Sequence, residues 1–238
     1  MNFWKHESEL PEDIGNRLGL GYILTLVFLI ALLVVLVWMY GKLGKKHRRR
    51  FMLTLAVIMP LLEVSRIAWE SAVGQFEVVE DLPLQICRIM LILQPIAVIS
   101  NNTRLKTFCY AFGLPGAVLA FSFPPIGNYP LLSFQYIRYV VCHSVLALVP
   151  LLWVIGDRFR PRKDMGILLG AVPAMALAML GINSLLGSNY SYVNRLPGHV
   201  NINLPQPWYF ISIVAFMMLV VTLMMLLVVL RKAPEDIN

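Results

Sequence analysis

From Leu18 to Tyr40 the chain carries no charged side chain, and it then delivers Lys42, Lys45, Lys46, His47, Arg48, Arg49 and Arg50. A spanning helix needs roughly 20 apolar residues. A run of this kind, with a basic cluster behind it, folds as a membrane helix. Glu7, Glu9, Glu12 and Asp13 precede it and no small-residue cleavage site follows, so it does not read as a cleaved signal peptide. Further apolar runs cover about 51–73, 82–100, 107–126, 131–155, 165–187 and 207–230. The pattern predicts an all-α polytopic membrane protein with seven transmembrane helices over 18–230. An outer segment, 1–17, precedes them and a cytoplasmic tail, 231–238, follows.

Composition agrees. The chain is 58% hydrophobic and 14% charged, with mean hydropathy +0.72. A soluble domain is about 45–50% apolar and about 25% charged. A soluble enzyme, a disordered chain and a coiled coil are excluded by the same figures. Cys87, Cys109 and Cys142 all fall inside apolar segments, without zinc-ligand spacing or a disulfide pattern.

The net charge of +7 raises nucleic acid as a partner. Its distribution argues instead for orientation. With the loop at 42–50 inside, fourteen basic residues fall on the inner side, and only Lys5, Arg17 and Arg195 on the outer. That asymmetry follows the positive-inside rule, so the N-terminus is expected outside and the C-terminus inside. The cluster at 42–50 then serves topology and contact with anionic lipid, not nucleic acid. The expected location is a cell membrane crossed several times, most simply the bacterial cytoplasmic membrane.

Ionisable groups within spans are costly and are functional candidates by default. The second span holds Glu63, Arg66 and Glu70. Arg66 lies about 60° and Glu70 about 20° from Glu63 on the helical wheel, so the three share a face. They form either a structural ion-pair ladder or part of a site. The third span holds Gln85, Arg88 and Gln94. The fifth holds Gln135, Arg138, Cys142 and His143. Asn183 ends the sixth, and the loop after it supplies Asn189 and Tyr190. Alternating the spans puts most of these groups toward the outer leaflet, from four helices. A polar pocket opening to the outer face is expected. Arg66, Arg88 and Arg138 outnumber Glu63 and Glu70 there. The surplus points to an anionic ligand, because Arg suits bidentate oxyanion binding, or to an arginine snorkelling to the headgroups.

Two further features concern packing. Gly166, Gly170, Ala174 and Ala178 make a small-residue ridge on the sixth span that lets another helix approach. Gly113, Pro115, Gly116 and Pro124-Pro125 break or kink the fourth span. The seventh span lacks a Schiff-base lysine, and no zinc or phosphate-loop motif is present. No cofactor is expected.

Several segments together suggest a family. They are Leu82-Pro83-Leu84-Gln85-Ile86-Cys87, Tyr110-Ala111-Phe112-Gly113-Leu114-Pro115-Gly116 with Pro124, then His143, Asn183, Asn189-Tyr190, Pro197 and Pro207-Trp208-Tyr209. In order and spacing they resemble the YwaF-type bacterial integral membrane family, which is related to the eukaryotic transmembrane-protein-164 acyltransferases. The resemblance runs from about Arg50 to the end of the last span. It implies a seven-helix membrane fold. Through the eukaryotic relatives it implies acyl transfer on glycerophospholipids by a Cys and a His. On that pattern His143 matches the family's fifth-span histidine and Cys87 the bacterial cysteine. The family's third-span motif usually reads Leu-Pro-Leu-His-Leu-Cys, and Gln85 occupies its His position.

The leading expectation is a lipid-handling, acyltransferase-like membrane protein with membrane lipids as partners. Arg88 and Arg138 would hold a phosphate or carboxylate, His143 would act as acid and base, and Cys87 would be the nucleophile. Asn183, Asn189 and Tyr190 would line the outer mouth, and Gln85 is counted with the ligand-binding residues. Two other classes stay open. One is a transporter or binding protein for a small anionic solute, with Glu63, Arg66 and Glu70 as a proton relay. The other is a structural subunit using the small-residue ridge. The sequence leaves the oligomeric state open.

Overall fold

The computed structural model describes residues 3–10, 19–126, 129–161, 165–197 and 204–229. Most of the expected outer segment, the tail with Arg231 and Lys232, and Arg162, Lys163, Asn201 and Asn203 lie outside the described residues.

The described residues form eight α-helices: α1 (Leu20–Lys42), α2 (Lys45–Ala72), α3 (Val78–Asp81), α4 (Ile86–Ser100), α5 (Thr103–Ser122), α6 (Phe134–Leu151), α7 (Met165–Leu186) and α8 (Trp208–Val229). A single π turn, Leu152–Gly156, extends α6. No strand occurs among the described residues. Six helices, α1, α2, α5, α6, α7 and α8, are long and apolar enough to cross a membrane, while α4 is a shorter apolar helix.

Several boundaries differ from the sequence expectation. The second helix starts at Lys45, not near Phe51, because the basic residues are good helix formers and form its first turns. The segment expected to begin the third span at Leu82 is extended there. Leu82 has φ −60° and ψ 149°, since a residue before proline is pushed out of the helical region. Helix α4 therefore starts at Ile86, and at a rise of about 1.5 Å per residue it is only about 22 Å long. Its burial compensates. Met90, Leu91, Gln94 and Ala97 are completely enclosed by α2, α5 and α6.

The fourth span, expected to break or kink, is one continuous helix. Helix α5 runs unbroken through Pro115 and ends at Ser122, ahead of Pro124-Pro125. Its glycines are contact points for α4. A Cβ on Gly116 would lie 3.8 Å from the Cys87 Sγ, and one on Gly113 would lie 2.4 Å from the Gln94 Nε2.

The ridge on α7 meets no other helix of the chain among the described residues. Gly166, Gly170, Ala174 and Ala178 are exposed, and nothing lies within 4 Å of a Cβ built on either glycine. The deeply buried α7 residues are on another face: Leu168, Val172, Ala176, Met179 and Asn183.

The ends of the helices gather into two groups. The α1–α2 turn, the α4–α5 turn and the π turn of α6 meet at one end. There Arg48 reaches Gly41 and Gly156, and Arg49 reaches Val98. The α2 terminus, α3, the start of α4 and the loop after α7 meet at the other.

Candidate functional site

Arg66 is fully buried on α2, and three carboxylates surround it. Its Nε and Nη2 donate to the Glu63 Oε1 at 3.1 and 2.7 Å. Its Nη1 donates to Glu70 and, at 3.1 Å, to the Asp81 Oδ1. Its Nη2 also donates to the Asp81 main-chain carbonyl at 2.5 Å. The i−3 and i+4 spacing puts both glutamates on the arginine's face of the helix, and the short helix α3 brings Asp81 over them. One buried guanidinium thus ties a span to the following connection. The Glu63 Oε2 is buried and has no hydrogen-bond partner among the described residues.

Asp81 is absent from the sequence-derived set, and it corrects the charge count. Three arginines face three carboxylates, so there is no overall surplus. The distribution is uneven instead. Arg88, in the first turn of α4, donates to the carbonyls of Glu80 and Leu82 at 3.0 and 3.1 Å, with Asp81 at 3.9 Å. Arg138, one turn into α6, donates from Nε to the Gln135 Oε1 at 2.8 Å. Among the described residues it has no carboxylate partner. It is half-buried and lies within electrostatic reach of Cys142, Arg66, Glu63 and Arg88. The anion argument therefore narrows from three arginines to Arg138.

Cys87, on α4, is half-buried and packs toward Gly116. Cys142 is buried on α6, and both thiols are free. His143 is buried with its Nδ1 2.8 Å from the Tyr139 carbonyl. A carbonyl only accepts, so Nδ1 carries the proton and Nε2 carries the lone pair. The ring packs edge-on against Phe121, with centroids 5.9 Å apart, and against Tyr139 at 4.2 Å. Tyr139 is a direct neighbour of His143, its ring tilted against the imidazole.

The other expected residues organise a loop. The Asn183 Oδ1 accepts from the Ser188 Oγ at 2.7 Å and from the Tyr190 N–H at 2.8 Å. Its Nδ2 donates to the Tyr190 carbonyl at 3.1 Å and to the Asn194 Oδ1 at 2.9 Å. Asn189 does the same further on, donating to the Arg195 carbonyl at 2.9 Å. Tyr190 is almost fully buried. Its hydroxyl donates to the Val78 carbonyl at 2.5 Å and accepts from the Leu82 N–H at 3.1 Å. The Gln85 Oε1 accepts from the Ser191 N–H at 2.8 Å, and the Ser191 Oγ donates to the Leu84 carbonyl at 3.0 Å. Ser191 and Tyr192 have φ of 55° and 53°, a conformation unfavourable for side chains with a Cβ. These bonds hold it in place. The loop is thereby clamped over the extended stretch before α4. Burial and the neighbouring Asp81 hold the Tyr190 phenol above its ordinary pKa of 10.0, burial being the larger cause.

The arginines from α2, α4 and α6 thus converge at one end of the bundle. Gln85, Asn183, Asn189 and Tyr190 build the cover beside them. Asp81, Tyr139 and Ser191 were not found from sequence. Two of them sit in connections, where helical periodicity carries no information.

The family model described as the TMEM164 family matches residues 17–227. No curated protein and no solved structure matches the chain.

Proposed function

Since the chain belongs to the TMEM164 family of membrane proteins, we propose that it handles an anionic lipid or acyl group in the polar interior beside Arg138. The observation that carries this reading is the uneven pairing of charge. Three carboxylates are committed around Arg66, whereas among the described residues Arg138 has only the neutral Gln135 amide. An unpaired cation at membrane depth is expensive. A phosphate or carboxylate on Arg138 supplies the missing partner through charge-assisted hydrogen bonds. Arg88 adds positive potential from α4.

On this reading the chemistry is acyl transfer. The lone pair on the His143 Nε2 receives the thiol proton of Cys87 as its sulfur attacks an ester carbonyl. The acyl group moves to sulfur, and the leaving alcohol takes the proton from His143. A second alcohol then reverses these steps to release the acyl product. Tyr139, in contact with His143, positions the imidazole through its carbonyl.

The test is lipid mass spectrometry on matched cells that lack the protein or express wild type, His143→Ala or Cys87→Ala. Acyl-chain changes restored by wild type and by neither variant support acyl transfer. Changes restored by all three forms leave lipid binding without this chemistry. Identical profiles in every strain sink both.

A second reading rests on the Glu63 Oε2, buried without a hydrogen-bond partner among the described residues. A carboxylate oxygen left open beside an arginine suits a proton relay in ion-coupled transport of a small anion. Under that reading Glu63→Gln abolishes the pH dependence of anion flux in proteoliposomes, while the lipid profile stays unchanged.

A further inference from the structure

At the basic end of the bundle a cleft of about 500 Å³ opens between the start of α2, the α4–α5 turn and the π turn of α6. Its volume falls within the range of roughly 300–1,000 Å³ usual for small-ligand sites. Lys45, Arg48, Arg49 and Lys106 line it, with Asp157 as the only carboxylate among the described residues. Trp153, Met52 and Val98 contribute apolar wall.

The single acid is already occupied. The Asp157 Oδ1 accepts from the Arg48 Nη1 at 3.3 Å, and its Oδ2 accepts from the Tyr40 hydroxyl at 2.9 Å. Arg48 is equally committed. It donates to the carbonyls of Gly41, Leu43 and Gly156, which closes the ends of α1 and α6. This pair is the frame of the cleft.

Three of the cleft's cations form no ion pair among the described residues. Arg49 donates to the carbonyls of Val98 and Ile99 at the end of α4, leaving the other N–H groups of its fork open. Lys106 is aimed by the Asn101 Oδ1 at 2.5 Å and lies 5.6 Å from the Trp153 ring centroid. Lys45, the first residue of α2, makes no hydrogen bond or ion pair among the described residues. It opens a 28-residue helix whose N-cap, Gly44, supplies no side-chain hydrogen bond, so the positive end of the helix dipole lies beside it.

We propose that this cleft binds a phosphate-bearing anion, held by Lys45, Arg49 and Lys106 around the Arg48–Asp157 frame. Membrane orientation alone requires only that basic residues lie on one side. It does not require them to line one cavity from three separate parts of the chain. The site is distinct from the Arg138 cluster, because Asp157 and Arg138 are about 28 Å apart along α6 at ~1.5 Å per residue. The anion comes either from a lipid headgroup or from a soluble phosphate compound.

The test uses the full chain in two preparations. In zwitterionic nanodiscs it is titrated with phosphatidylglycerol. In zwitterionic detergent it is titrated with inorganic phosphate. Lys45→Gln/Lys106→Gln weakens binding of at least one probe by about tenfold or more, as expected for losing charge-assisted hydrogen bonds. Lys46→Gln/Arg160→Gln removes the same charge from exposed positions outside the cleft and leaves affinity within about twofold. Saturable loss with phosphatidylglycerol alone assigns a lipid headgroup, and loss with phosphate assigns a soluble ligand. Equal loss in both double variants, or no binding by wild type, overturns the proposal. Lys45→Glu, which breaks no bond within the described residues, gives the same loss if the double variant is unstable.

Discussion

The Gln94 Nε2 donates to the main-chain carbonyl of Leu146 at 3.1 Å. That carbonyl lies four residues before Pro150, which has no N–H to offer it. A side chain from α4 thus replaces the hydrogen bond that a proline removed from α6, in the enclosed centre of the bundle. Gly113 makes room for it. Gln94→Leu is expected to cost about 1–3 kcal/mol, the penalty of leaving a buried acceptor unsatisfied. In a Pro150→Ala background the main chain regains an N–H at this position and donates it to the Leu146 carbonyl directly, so the same substitution is much cheaper. Gly113→Ala pushes the amide away and reproduces the loss. Thermal unfolding midpoints in detergent across this double-mutant cycle provide the check, and additive effects would refute the coupling.

Arg66 should be the least tolerant charged residue in the protein. Arg66→Met leaves Glu63, Glu70 and Asp81 facing one another without a cation. Breaking a buried pair from one side costs about 3–5 kcal/mol, enough to reduce the yield of monodisperse protein severely. Arg66→Lys does not rescue it, because one ammonium cannot reproduce the fork that reaches all three acids. Removing the charges together, as in Glu63→Gln/Arg66→Met/Glu70→Gln, recovers most of the yield. Size-exclusion profiles of the three variants decide the point.

The helices were largely legible because long apolar runs leave few alternatives at membrane depth. The family resemblance was legible from short motifs. The local failures share a cause. The apolar run placed Leu82 to Gln85 in a helix, but Pro83 and the bonds from Ser191 hold this stretch extended. The small residues on α7 allow close packing, but composition does not say which face meets a neighbour within the chain, and that face is the one with Leu168, Val172 and Ala176. In the candidate site, Glu63 and Glu70 followed from helical phase. Asp81 did not, since its pairing with Arg66 depends on a chain turn. The role of Asn183 was equally hidden, because its partners lie in an irregular loop.

Asn183→Ala should release that loop. The substitution removes four side-chain hydrogen bonds, including the one to the buried Tyr190 N–H. A loss of about 2–3 kcal/mol is expected from such bonds, concentrated at 188–195 rather than spread over the bundle. Hydrogen exchange should rise there while α4 and α6 stay protected. A uniform rise across the chain would contradict a local clamp.

The Tyr190 phenol gives the same clamp a pH signature. Its folded pKa is raised, so the neutral form is the one the docked loop prefers. The docking contribution is complete below the ordinary tyrosine pKa of about 10. It falls as pH rises toward the folded value. Exchange at 188–195 should therefore accelerate above about pH 10. Tyr190→Phe should be weaker at neutral pH and lack this alkaline step. An identical alkaline profile in the variant would assign the effect elsewhere.

Arg138→Gln should behave in the opposite way to Arg66→Met. Arg138 has one hydrogen bond, to a neutral amide, and no carboxylate partner among the described residues. Its removal strands no buried charge, so stability should change by no more than about 0.5 kcal/mol or rise slightly. Binding should suffer instead. If the guanidinium holds a phosphate or carboxylate, the variant loses co-purifying anionic lipid while its unfolding midpoint is preserved. Arg138→Lys retains the charge without the fork and should be intermediate. A large stability loss with lipid retention unchanged would make Arg138 a structural residue, and the charge argument for a ligand at this end of the bundle would fall with it.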